Sequence, residues 1–245
     1  MAGTPATRTI ELHTPDGPMP VYEAAPEGSV SSAVIVIQEA FGVTDHIRDL
    51  ADRFAAEGYL AVAPAIFHRT GSPEMDYEGD FARIAPHFAA LDDDRILMDV
   101  DATLGHVLAS GVAADHTAIV GYCFGGRVTF LVATTRRLGA AVGYYGGGIV
   151  TGRGPTYPSL IERVGQLATP WLGLFGDQDQ SIPAEDVETL RARLASDAPA
   201  GVDAEVVRYA EAGHGFFNDA RPQHFHQASA ADAWPRTLDW FRTHL

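Results

Sequence analysis

Only one of the 245 residues is cysteine, so no intrachain disulfide can form and the fold does not depend on an oxidising compartment. That lone thiol, Cys123, is free for chemistry. Basic residues are also scarce, with 17 Lys and Arg against 32 Asp and Glu. The resulting formal charge of -15 argues against nucleic acid or an anionic membrane as partner, because no cationic cluster offsets the repulsion. No uncharged apolar run approaches the roughly 18 residues of a membrane span, and no basic stretch followed by an apolar core opens the chain. A soluble, unprocessed, cytoplasmic protein is therefore expected. Repeats, linkers and low-complexity tracts are missing too, and one domain over residues 1–245 is the default for this length.

What is present is an alternation. Arg8 to His13 and Met19 to Ala24 flank a Pro15-Asp16-Gly17-Pro18 turn and predict an antiparallel hairpin at a sheet edge. Continuous β-branched or apolar runs follow at Ala33 to Gln38, Tyr59 to Ala63, Thr117 to Tyr122, Ala140 to Tyr145 and Trp171 to Phe175, and Ala204 to Tyr209 is a last strand. Between them, helical spacing predicts Asp45 to Glu57 with Thr44 as N-cap, Phe81 to Leu91, Arg95 to Ala109, Phe124 to Arg137, Pro183 to Ala195 and Ala228 to Thr243. Pro64 to Asp80 reads as a loop. The pattern predicts an α/β fold, a mostly parallel sheet with helices on both faces.

Gly121-Tyr122-Cys123-Phe124-Gly125-Gly126 lies between a strand and a helix, the setting of a nucleophile elbow with cysteine in the serine position. Glycines two residues before and after the nucleophile let strand and helix approach closely. The thiol would sit at a helix N-terminus, which favours a thiolate. An acid and a histidine then follow in the order this fold requires. Asp179, before Gln180-Ser181-Ile182-Pro183, is the preferred acid and Asp177 the alternative. His214, in Ala212-Gly213-His214-Gly215-Phe216 after the last strand, is the candidate base, oriented by the acid.

These motifs, with Gln38-Glu39-Ala40-Phe41-Gly42 and Gly143-Tyr144-Tyr145-Gly146, resemble the dienelactone hydrolase family from about residue 7 to the C-terminus. The resemblance implies an α/β-hydrolase fold and a Cys123, His214, Asp179 triad that cleaves a carboxylic ester or lactone through a thioester. It implies an oxyanion hole from the Ala40 and Phe124 amides, and a Glu39 carboxylate that contacts the resting thiol. It also implies no cofactor. Family members that take the chlorocatechol-pathway lactone hold its carboxylate with two arginines. Here those positions are Asn218 and, by alignment, Phe81 with Arg83 close by, so a neutral or larger ester is expected rather than the small anionic lactone. Arg221 offers a substitute for the clamp, but an Arg before Pro222 reads more readily as a surface residue. Of Tyr144 and Tyr145, one is expected in the core and the other along the pocket.

Other signals are weaker. His224-Phe225-His226 near Asp219 lacks a third metal ligand, so no metal is expected. Asp92-Asp93-Asp94 suits the start of a helix, and Gly146-Gly147-Gly148 reads as a loop near the site mouth rather than a phosphate loop. The expected partner is a small ester or lactone, and the chain a monomer or homodimer. Two other readings use the same residues: a non-catalytic ligand-binding protein of this fold, and a thioesterase or acyltransferase.

Overall fold

The structure, a computed structural model, describes residues 4–77 and 81–245, with Phe81 by its backbone alone. Eight strands, β1 (Ala6–Thr14), β2 (Gly17–Ala25), β3 (Ala33–Ile37), β4 (Leu60–Pro64), β5 (Thr117–Tyr122), β6 (Ala140–Tyr144), β7 (Trp171–Gly176) and β8 (Ala204–Tyr209), form one sheet in the order β1-β2-β4-β3-β5-β6-β7-β8. The expected hairpin is at the edge, with β1 antiparallel to β2 and β2 antiparallel to β4. All remaining neighbours pair in parallel. Every residue of β3 to β7 is buried, as their unbroken apolar runs require of strands covered on both faces.

The helices are α1 (Asp45–Ala56), α2 (Ala85–Ala89), α3 (Asp93–Ala109), α4 (Phe124–Ala133), α5 (Ala184–Asp197) and α6 (Gln227–His244). On one face α1 meets α6, where the Phe54 ring lies 4.7 Å from Trp234 and 5.8 Å from Phe241. On the other, α3 and α4 are tied by a buried bidentate pair in which Arg127 donates to both oxygens of Asp93 at 2.6 and 3.1 Å. Burying a ring such as Phe54 contributes roughly 2–3 kcal/mol, and this packing fixes where the sheet's C-terminal edge opens.

Three expectations change. The helix expected over 81–91 is split into a 3-10 turn at Phe81–Arg83 and the short α2, because Pro86 has no N–H to continue a ladder and is tolerated only in a first turn. Thr44 occupies the N-cap position of α1 but makes no cap bond; its hydroxyl lies 3.0 Å from the Tyr77 hydroxyl instead. Helix α4 stops at Ala133, short of Arg137, where the Thr134 and Thr135 hydroxyls both turn back to the Leu131 carbonyl. Asp92 caps α3, accepting from the Arg95 amide at 2.8 Å. The last three residues of the expected 64–80 loop lie outside the described residues; its earlier part carries a 3-10 turn at His68–Thr70.

Candidate active site

Cys123 joins β5 to α4 with φ 55° and ψ -112°, a positive φ that a residue with a side chain adopts only under strain. The flanking glycines make this turn possible. A Cβ on Gly121 would lie 2.1 Å from the Gly125 carbonyl oxygen, and one on Gly125 would lie 2.5 Å from that of Ile37. The second contact seats the start of α4 against the end of β3.

The acid and histidine come from the next parallel strands. Asp179 follows β7 and His214 follows β8, and Asp179 Oδ2 lies 2.6 Å from His214 Nδ1. Asp179 is buried, and its Oδ1 accepts from the Ser181 amide at 2.8 Å and the Ser181 hydroxyl at 2.7 Å. Burial opposes ionisation of this carboxyl, but the His214 and Ser181 bonds outweigh it and hold Asp179 below its ordinary range. Burial likewise opposes a charge on His214. Negative charge on Cys123, with hydrogen bonding to Asp179 and Cys123, overrides it and pushes the imidazole up to about 10. Asp177, the alternative acid, is taken by Arg208, whose Nε donates to it at 2.7 Å.

A second polar cluster gathers around Glu39, close enough to His214 to feel its charge. Glu39 is buried, and its Oε2 accepts from Asn218 Nδ2 at 2.8 Å. Burial raises its pKa, while the His214 and Arg221 charges and the Asn218 bond pull the other way. Arg221 is not a solvated surface residue. Its guanidinium lies 5.5 Å from the Phe41 ring and 5.3 Å from the Tyr77 ring, and its Nη2 lies 2.9 Å from His224 Nε2. Its place over two rings draws the guanidinium partly out of bulk water, which sequence position alone did not disclose.

The profile of the dienelactone hydrolase family matches residues 19–245. The chain belongs to the dienelactone hydrolase family. A Salmonella typhimurium protein named "Putative carboxymethylenebutenolidase" is 40% identical, with 98% of this chain and 93% of that protein covered. The Rhodococcus opacus carboxymethylenebutenolidase is 30% identical, over 99% of this chain and 94% of that one. Among solved structures, a Klebsiella pneumoniae protein titled "Putative Dienelactone Hydrolase" superposes with a TM-score of 0.88 at 36% identity, covering 98% and 99% of the two chains. This dienelactone hydrolase family member is accordingly a hydrolase with the α/β-hydrolase architecture expected from its motifs.

Its other candidate residues fall in different places. Asn218 is fully buried, with its amide spent on Glu39 and its carbonyl oxygen on the Ala220 amide at 3.1 Å. Arg83 is exposed on the 3-10 turn, and the Phe81 side chain lies outside the described residues. Tyr144 and Tyr145 are both fully buried, so the expectation that one of them lines an open pocket is not met: the Tyr144 hydroxyl lies 2.6 Å from that of Thr237, and the Tyr145 ring packs 5.1 Å from that of His214. His224 Nδ1 lies 3.2 Å from the His214 carbonyl oxygen, and the His226 ring caps α6 through Ser229, so both have other partners. Among the described residues no group of three or more His, Cys, Asp or Glu side chains is placed to hold a metal, and no helix is long and apolar enough to cross a membrane.

Two contributors escaped the sequence reading. Ser181, two residues beyond Asp179, carries the spacing at which a hydroxyl and amide fold back onto an Asp, a signal that was legible. Tyr77 sits in an irregular loop with no periodicity to mark it.

Proposed function

We propose that this chain hydrolyses a neutral or larger carboxylic ester or lactone through a thioester on Cys123. The thiol gives its proton to His214 and the thiolate attacks the carbonyl carbon. The oxyanion that forms is met by the Ala40 and Phe124 amides, a stabilisation worth about 3–4 kcal/mol per donor in related chemistry. The carbon–oxygen bond of the ester then breaks, and His214 returns the proton to the departing alkoxide. Water, deprotonated by His214, attacks the thioester, and the carboxylic acid leaves as Cys123 regains its electron pair. Asp179 holds the imidazole in one tautomer and favours its charged form.

The observation that carries the reading is the 2.6 Å Asp179–His214 contact beside a cysteine held in a strained strand-to-helix turn. The substrate preference rests on Asn218, a neutral amide already committed to Glu39 where an anionic lactone would need a guanidinium. A thiol that must remain reduced suits the cytoplasm. The test is a panel of p-nitrophenyl acetate, p-nitrophenyl butyrate and a dienelactone, given to the wild type and to Cys123→Ala. Turnover of the neutral esters that vanishes in the variant supports the reading. Retained turnover in Cys123→Ala, or a folded wild type that cleaves no ester, refutes it.

A further inference from the structure

Asp99, on α3, is a fully buried carboxylate that the proposed chemistry does not use. Its two oxygens accept from Arg69, Oδ2 from Nη1 at 2.7 Å and Oδ1 from Nη2 at 2.9 Å, and His68 Nε2 lies 3.1 Å from Oδ1. Arg69 Nε donates to Asp16 in the β1–β2 turn at 2.6 Å. Burying such a pair is costly and an apolar contact could stabilise as well, so what the fork adds is a fixed geometry between two elements. One element is α3. The other is the segment that leaves β4, residues 65–77, and it runs from the fork to both backbone stretches assigned above to the oxyanion. Phe67, next to His68, stacks on Phe124 with ring centroids 6.3 Å apart and planes 20° from parallel. Further along, the Met75 amide donates to the Phe41 carbonyl at 2.9 Å, and the Tyr77 ring lies 4.8 Å from that of Phe41. The Pro73 carbonyl oxygen comes so near Gly42 that a Cβ there would lie 2.1 Å from it. Helix α3 also holds α4 through Asp93 and Arg127, so Phe124 and the segment packed on it are referenced to the same helix.

We propose that Asp99 and Arg69 are positioning residues for the oxyanion hole: their fork roots residues 65–77 on α3, and the segment braces Phe124 at one end and Phe41 and Gly42 at the other, fixing the spacing of the Phe124 and Ala40 amides. The inference rests on the proposed hydrolysis and names what holds its oxyanion donors in place. Such donors act only as the oxyanion forms, and a displacement of about 1 Å costs up to about a hundredfold in rate. Glu23 supplies an internal control, being a buried carboxylate whose partners Arg8 and His106 lie outside the segment.

Two reactions of the single cysteine separate positioning from packing. Hydrolysis of p-nitrophenyl butyrate passes through an oxyanion. Alkylation by iodoacetamide, followed by intact mass, forms none: the thiolate sulfur bonds to the methylene carbon as iodide leaves with the electron pair of the broken bond. Both are measured for wild type, Asp99→Asn, Phe67→Leu and Glu23→Gln, with melting temperatures. Asp99→Asn and Phe67→Leu should each lower kcat about ten- to a hundredfold, with KM and the alkylation rate within about twofold of wild type. Glu23→Gln should lower the melting temperature and leave kcat in place. If Asp99→Asn does not fold, Arg69→Lys, which keeps the buried charge and loses only the fork, is read in its place. Folded variants with wild-type kcat overturn the proposal. So do kcat and alkylation falling together, or a loss of kcat in Glu23→Gln as large as that in Asp99→Asn. A wild type that cleaves no ester removes the hydrolysis reading and this inference with it, whereas wild-type turnover with unaffected variants defeats this inference alone.

Discussion

The two polar clusters that meet at His214, one around Asp179 and one around Glu39, are built differently. Toward Asp179 and His214, each part is set by backbone: strand ends in register, a glycine-bounded turn, and a carboxylate bonded to an amide two residues on. Toward Glu39, the parts are side chains from separate loops that meet only after folding, Asn218 and Arg221 lying some 180 residues from Glu39 and Phe41. The first side is a scaffold and the second an assembly. Damage to the first should abolish chemistry, and damage to the second should retune it.

The largest expected effect breaks the scaffold side. Cys123→Ala and His214→Ala should each lower kcat by at least about a thousandfold with the fold intact, and Asp179→Asn by about a hundredfold or more. Ester turnover together with circular dichroism separates chemistry from folding. Next, Gly125→Ala should cost about 1–3 kcal/mol or more, since its Cβ meets strand carbonyls that have nowhere to go. A urea midpoint equal to that of wild type would show that the elbow can relax.

The fold and the scaffold side were legible because their signals are local. Runs such as Ala33 to Ile37 state their burial in composition, and Gly121 and Gly125 state the turn by spacing. The assembly side was not legible in the same way. Nothing around Arg221 announces that its guanidinium stacks on Phe41 and Tyr77, and nothing around Asn218 announces Glu39, because those contacts depend on how remote loops pack. The failed helix at 81–91 is a smaller case, in which apolar periodicity outweighed a proline that the backbone does not ignore.

A pH series sharpens the comparison. His214, raised to about 10, contributes stability that is full below its unfolded value near 6.5 and is lost as pH rises through 10; the depressed Asp179 contributes above about 4 and loses it as pH falls through its folded value. Melting temperature should therefore fall toward both extremes. Cys123→Ser, which removes the negative partner of the imidazole, should show a weaker loss on the alkaline side. Glu39 has the opposite sign from Asp179: its raised pKa means the fold is favoured while it is protonated and weakens as pH rises through its folded value. Asn218→Ala should accordingly cost about 1–3 kcal/mol at pH 8 and less at pH 5. Equal losses at the two pH values would show that Asn218 matters for packing rather than for the carboxylate.

The smallest effect should come from Ser181→Ala. The Asp179 oxygen it serves keeps its amide partner, so kcat should fall only about three- to tenfold, with KM little changed.

The bond from the Cys123 amide to the Tyr144 carbonyl has a consequence for how the enzyme fails on heating. It makes Cys123 a continuation of the sheet rather than a passenger on a loop, so its amide hydrogen should exchange with solvent only when the whole sheet opens. Activity should then disappear together with the fold, and inactivation and unfolding should trace a single curve.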